Sequence, residues 1–260
     1  MFGIVPKRLW SKTYPCDEDN MCTWAMRSLL IEDGDRKILI DTGIGDKQDE
    51  RFRSHFYPHG STAVESLKSV GLHSDEITDV ILTHLHFDHV GGALYFDKNA
   101  KSLPTYANAT YWTGEEQYDW AYNPNEREKA SFLKENFVPL KEEGRLKLIG
   151  TEKDSFQFSD SISMKFYFGH THGMIVPTIH LPEQQIIYCA DLLASSAHLG
   201  APYVMAFDIE PLKSIDEKME MLSHAYETKS ILAMEHDYYN EAFTLLLNEK
   251  GKYEAVPCLL

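Results

Sequence analysis

The sequence predicts an α+β fold, two mixed β-sheets flanked by helices, on three observations. Short apolar, β-branched runs gather towards both ends of the chain, and segments with helix-start signatures lie between them. That order, strands then helices then strands again, suggests two sheets rather than one parallel sheet. No repeat, low-complexity tract or Ser/Gly-rich linker interrupts the 260 residues, so 1–260 reads as a single domain.

Each element has its own signal. "WAMRSLLIEDGDRKILIDTG" reads as two strands joined at Asp33-Gly34, with Asp41 at the end of the second. "STAVESLKSVG" reads as a helix: Thr62 and Glu65 form a capping box, Val64, Leu67 and Val70 share a face, and Gly71 ends it. "DVILT" is a short buried strand that runs into "HLHFDHVGG". Thr113 with Glu116, and Asn123-Pro124 with Glu126, read as two further helix starts. "SISMKFYFGHTHG" is a strand ending at His170 and His172, and "TIHLPEQQIIYCAD" a hairpin ending at Asp191. "SIDEKMEMLSHAY" opens with a capping box, Ser214 and Glu217, and "SILAMEHD" is a strand ending at His236.

Composition narrows the partners. With 43% apolar and 25% charged residues the chain reads as an ordinary globular protein. A net charge of −15 with no basic stripe argues against nucleic acid or an anionic membrane as the main partner. Cys16, Cys22, Cys189 and Cys258 show no C-x-x-C spacing and read as reduced structural thiols. No apolar run approaches the ~18 residues of a membrane span. The opening "MFGIVPKRLWSK" carries no secretion signal, so a cytoplasmic location is expected.

The histidine cluster needs a reason, because burying it costs free energy and adds little to a core. Asp41, the 84–89 segment, His170, Asp191 and His236 each fall at or just beyond the end of an expected strand. Strand ends gathered at one sheet edge form a crevice where ligands bind. In extended backbone, side chains two apart point the same way, so His84 and His86 can grip one ion. A turn after Phe87 would swing Asp88 and His89 towards a second ion, while Gly91 and Gly92 allow close backbone approach. Imidazole with carboxylate suits Zn²⁺, with Fe, Mn or Co as alternatives.

"THLHFDH" resembles the H-x-H-x-D-H signature of the metallo-β-lactamase superfamily. "LIDTG" at 39–43, "FGHTHG" at 168–173, "CAD" at 189–191 and "EHD" at 235–237 resemble its remaining motifs, in family order. The resemblance implies an αββα sandwich with two metal ions at one edge. By that match His84, His86 and His170 hold the first metal, and Asp88, His89 and His236 the second. Asp191 bridges them, and Asp41 supports a ligand from behind.

The implied chemistry is hydrolysis by an activated water, with Asp88 or Asp191 shuttling the proton to the leaving group. Several relatives fit poorly. β-Lactamases with two zincs usually lack the histidine at 89 or the bridging aspartate. Diiron relatives carry glutamate where His86 stands and need a flavin domain. Sulfur dioxygenases of this fold keep one iron without a full second site, and RNA-processing relatives add a basic arm. "HLHFDH" is reminiscent of N-acyl homoserine lactonases, which implies lactone opening. Organophosphate or phosphoester hydrolysis and glyoxalase-II-like thioester hydrolysis are the alternatives, and a metal-binding protein without catalysis is the rival class. "LLASSAHLGAPYVMAFDIEPL" at 192–212, together with Phe2, Trp10, Met21, Trp24, Phe52, Phe56 and Tyr57, could wall a pocket for the apolar portion of a small-molecule substrate, although each of these residues taken singly reads as core or loop packing.

Some positions depart from the pattern. Many such lactonases place a tyrosine where Ala194 stands. His172 replaces a common proline and reads as a loop residue rather than a substrate contact. His198 fits pocket and packing roles alike, and Asp154, Asp208 and Asp237 read as ordinary loop carboxylates. The resemblance also implies a homodimer in some relatives, and the short start leaves little room for the family's usual first edge strand.

Overall fold

The computed structural model describes residues 1–150 and 152–260. Packing divides them into two compact units, one of Met1–Ala25 with Glu152–Leu260 and one of Met26–Thr151. Among the described residues a short helix, α1 (Lys7–Trp10), is the one regular element before residue 26, so no edge strand stands there.

The unit from Met26 holds the antiparallel pair β1 (Leu29–Asp33) and β2 (Arg36–Ile40), turning through Gly34 at φ +63°. After α2 (Glu50–Arg53) and α3 (Ala63–Ser69) comes β3 (Asp79–Ile81), then α4 (Phe87–Val90). A small ribbon of β4 (Leu94–Phe96) and β5 (Ser102–Pro104) precedes β6 (Thr110–Gly114), α5 (Glu115–Tyr122), α6 (Val138–Glu142) and β7 (Leu146–Ile149). The sheet order is β1-β2-β3-β6-β7, with every pairing after β1 parallel. Parallel pairing brings the C-terminal ends of β2 and β3 to one edge, where Asp41 and the 84–89 segment follow. Leu39, Val80, Leu82, Leu85, Val90, Tyr111 and Leu146 fill its core.

In the other unit, β8 (Ser155–Gln157), β9 (Ile162–Tyr167), β10 (Met174–His180) and β11 (Gln185–Tyr188) are followed by the long helix α7 (Pro211–Thr228). Then come β12 (Ile231–Ala233), β13 (Ala242–Leu247) and β14 (Tyr253–Cys258). The seven strands run β14-β13-β12-β11-β10-β9-β8, antiparallel except for β11 with β12. Because β10 is antiparallel to both neighbours, β9, β11 and β12 point the same way. His170, Asp191 and His236 therefore leave one sheet edge together. The two mixed sheets with helices fulfil the fold class read from the sequence.

Three helix signatures read differently in the structure. Thr113 lies inside β6, opposite Leu148, and α5 begins two residues later. Asn123 ends α5, and the proline after it opens a turn-rich loop rather than a helix. α7 starts at Pro211, so Ser214 is already helical; Glu217 accepts instead from the amides of Phe168 and Gly169, both at 2.9 Å. In α3 the Thr62–Glu65 capping box forms as expected and Leu67 is buried, whereas Val70 faces solvent. All four cysteines are free, and no helix among the described residues is long and apolar enough to cross a membrane.

Candidate metal centre

In the Met26–Thr151 unit the geometry begins with Asp41. Its backbone is left-handed, φ +54°, which is uncommon for a residue with a Cβ and turns its carboxylate back under the next strand. There Asp41 Oδ1 accepts from the Thr83 amide at 2.8 Å and Oδ2 from the Thr83 hydroxyl at 2.6 Å. Oδ2 also takes His89 Nδ1 at 3.1 Å, with both side chains fully buried. Since Thr83 donates to Asp41, its oxygen is left to accept from His84 Nδ1 at 3.1 Å. One carboxylate thus fixes the orientation of two imidazoles through their Nδ1 atoms, His89 directly and His84 through the Thr83 hydroxyl.

His86 is turned the other way: its Nδ1 lies 3.1 Å from His84 Nε2, and its Nε2 lies 3.6 Å from Glu128 Oε1. Glu128 is itself nearly buried and accepts from Trp120 Nε1 at 2.6 Å and Asn125 Nδ2 at 2.8 Å. Asp88, its side chain 30% exposed, sits 3.9 Å from His89 Nε2. The turn closes against the β2 loop, where the Thr42 amide and hydroxyl both donate to the His89 carbonyl, at 2.8 and 2.9 Å. A Cβ on Gly91 would lie 2.1 Å from the Ile44 oxygen, and one on Gly92 2.2 Å from that of Thr42. Only glycine permits that approach.

In the unit containing Glu152–Leu260, two strand-end histidines converge on the carboxylate of a third strand-end residue, Asp191. His170 Nε2 lies 3.2 Å from Asp191 Oδ2, and His236 Nε2 lies 2.9 Å from Asp191 Oδ1. Ala190, the residue before Asp191, has φ +43°, a second left-handed backbone position beside the candidate ligands. His170 Nδ1 meets Asp208 Oδ1 at 2.9 Å, and His236 Nδ1 meets the Ala25 carbonyl at 2.8 Å. Here too Nδ1 of each histidine faces an oxygen outside the cluster, and Nε2 is the nitrogen turned to Asp191.

All seven expected ligand residues therefore present N or O donors, and every one of the five histidines has its far nitrogen facing an oxygen. This donor set, imidazoles with carboxylates, fits divalent cations of the zinc class.

Other residues fall differently. Asp208 and Asp237 are buried rather than ordinary loop carboxylates: Asp208 backs His170, and Asp237 Oδ2 holds the Ser196 amide and hydroxyl at 2.8 and 2.6 Å. His172 is partly exposed and meets Glu210 Oε1 at 3.1 Å. His198 is buried between Ser195 Oγ, 2.7 Å from Nδ1, and the Met1 carbonyl, 3.1 Å from Nε2. Its ring stacks on Phe2 at 4.5 Å, and burial lowers its pKa to about 4. Phe2 also stacks on Trp10, and Trp24 on Tyr14, while Met21 and Tyr57 are exposed. Glu128 carried no sequence signal, lying in a loop 42 positions beyond His86. Phe87, inside the histidine motif, meets Phe52 at 5.0 Å and Phe56 at 4.8 Å between ring centres.

Comparison with known proteins agrees with this chemistry. The chain is similar over its whole length to a probable metal-dependent hydrolase from Staphylococcus aureus, with 26% identity, a TM-score of 0.87 and 92% of that structure covered. Its fold also matches that of AidC, a dizinc quorum-quenching lactonase, with 22% identity, a TM-score of 0.74 and coverage of 91% and 80% of the two chains. In sequence it is 22% identical over 194 residues to the N-acyl homoserine lactonase AiiB of Agrobacterium fabrum (strain C58), covering 73% of this chain and 67% of that one. The profile of the Metallo-beta-lactamase superfamily matches residues 27–247, a span that takes in every candidate metal ligand described above. The chain belongs to the metallo-β-lactamase superfamily and is a metal-dependent hydrolase with a histidine–aspartate metal site.

Proposed function

We propose that this hydrolase opens lactones, with N-acyl homoserine lactones as leading substrates, using two divalent cations. His84, His86 and His170 would hold one cation, and Asp88, His89 and His236 the other, with Asp191 shared. Zn²⁺ suits these donors, and Fe, Mn and Co belong to the same borderline class. When bound, such a pair lowers the pKa of a water to about 7 and polarises the carbonyl under attack.

The chain's own groups supply the rest. Asp41 and Asp208 keep their histidines in one tautomer, so no proton sits on a ligating nitrogen. Asp88, partly exposed, is the carboxylate suited to carry a proton to the ring oxygen as it leaves.

The lactone reading rests on one observation, the aromatic patch of Phe52, Phe56 and Phe87 beside His86 and Asp88. An apolar face next to the ligand turn favours a substrate with an acyl chain and excludes water around it. The likeness to AiiB and AidC supports the same substrate class. Ala194 favours a second reading, phosphoester or organophosphate hydrolysis, because this buried side chain offers no hydroxyl to a lactone carbonyl.

The test is a substrate panel on protein reconstituted with Zn, Mn, Co or Fe. It holds lactones of varied acyl length, aryl esters, S-lactoylglutathione, a paraoxon-like triester and bis-nitrophenyl phosphate. Lactone kcat/KM should lead and rise with acyl length. Phosphoester turnover larger by orders of magnitude would overturn the lactonase reading, and no turnover with or without chelator would point to a non-catalytic metal protein.

A further inference from the structure

α7 buries Ser214, Lys218, Met221, Leu222 and Ala225, the stripe of an amphipathic helix. A lysine on that stripe is out of place, because burying an ammonium is costly unless its donors are satisfied. Lys218 is 1% exposed, and the satisfaction is complete. Its Nζ donates to the carbonyls of Tyr203 at 2.7 Å, His198 and Gly200 at 2.9 Å each, and Ala201 at 3.3 Å. Asp208 is the charged group whose field reaches it, whereas these four bonds all end on backbone oxygens. One side chain therefore gathers four carbonyls from a six-residue stretch with no regular structure beyond a single turn at Ser196–His198.

The segment that contains this stretch joins Asp191, a candidate ligand, to Asp208, which backs His170. It leaves Asp191, carries His198 and Tyr203 against the Phe2–Tyr14 aromatic cluster, and reaches Met205, whose amide donates to Asp208 Oδ2 at 3.2 Å. From sequence alone His198 suits a pocket or a packed loop equally, and nothing in its neighbours reveals what holds the segment.

We propose that Lys218 is a positioning residue for substrate: its ammonium is an internal cation that sets the 198–203 wall on the Asp191 side of the site. This rests on the hydrolase reading, and it assigns the wall to binding rather than to the chemical step. Lys218→Met keeps length and removes every donor, so the carbonyls lose their common partner. Arg keeps the charge, but its planar fork cannot gather carbonyls from four directions.

The experiment compares wild type, Lys218→Met and Lys218→Arg as full-length, metal-loaded protein. Hydrogen exchange over residues 195–206 needs no substrate, so it stands whatever the panel above returns. The proposal expects at least tenfold faster exchange there in the Met variant, with metal content and exchange in β9–β12 unchanged. For the best panel substrate it expects KM to rise at least tenfold with kcat within twofold, and Arg to recover only part of the change. Unchanged loop exchange, or a fall in kcat at constant KM, overturns it. Should Lys218→Met not fold, Lys218→Arg decides by the same two readouts. If neither folds, the residue supports the unit as a whole and the proposal is wrong.

Discussion

Asp41 Oδ2 accepts from His89 Nδ1 at 3.1 Å while holding the Thr83 hydroxyl at 2.6 Å, so one carboxylate oxygen governs two candidate ligands, His89 directly and His84 through the hydroxyl. Asp41→Asn should be disproportionately harmful. If the amide oxygen keeps the Thr83 amide, the NH₂ then meets two donors. Metal affinity should fall about 10–100-fold, measured by chelator competition, with the fold retained by circular dichroism.

Glu128 backs His86, and at 3.6 Å its hold is looser. Glu128→Gln should weaken one of two metal equivalents by up to roughly 10-fold and leave the other untouched. Titration calorimetry on metal-free protein would separate the two steps. Equal weakening of both would contradict this assignment.

Gly92→Ala places a methyl 2.2 Å from the Thr42 carbonyl, backbone against backbone, with no flexible side chain to give way. The loss of stability should be about 3 kcal/mol. Thr42 also anchors the His89 carbonyl, so metal loading should fall with it. Denaturant unfolding at fixed metal concentration reads both.

His198 gives a pH signature. Its folded pKa of about 4 lies below the ordinary histidine value of 6.5, so the unfolded chain binds a proton that the folded chain refuses. Its contribution is undiminished above pH 6.5 and is lost as pH falls from 6.5 towards 4. At pH 5 the loss is roughly 2 kcal/mol. Comparing wild type with His198→Asn at pH 7 and pH 5 cancels the other titrations, and the gap between them should narrow at the lower pH.

Much of this was legible in the sequence because local chemistry and tertiary structure agree. The β1–β2 hairpin, the capped α3 and the strand ends carrying Asp41, His84, His170, Asp191 and His236 all follow from local pattern. Thr113 misled because its helix-start signature lost to pairing in a buried parallel strand. Ser214 and Glu217 misled because Pro211 starts α7 earlier, which frees Glu217 to hold the loop before His170. Asp208, Glu128 and Lys218 were hidden for a different reason. Each acts on a residue of another element, and nothing in their own neighbourhoods marks the partner.

The most direct test of the metal centre is elemental analysis of purified protein after exhaustive dialysis, beside the same protein with Asp191→Ala. A two-cation centre requires close to two transition-metal equivalents per chain, and less than one once the Asp191 carboxylate is gone. Wild-type protein with no stoichiometric metal, or an Asp191→Ala variant that keeps both ions, would contradict it.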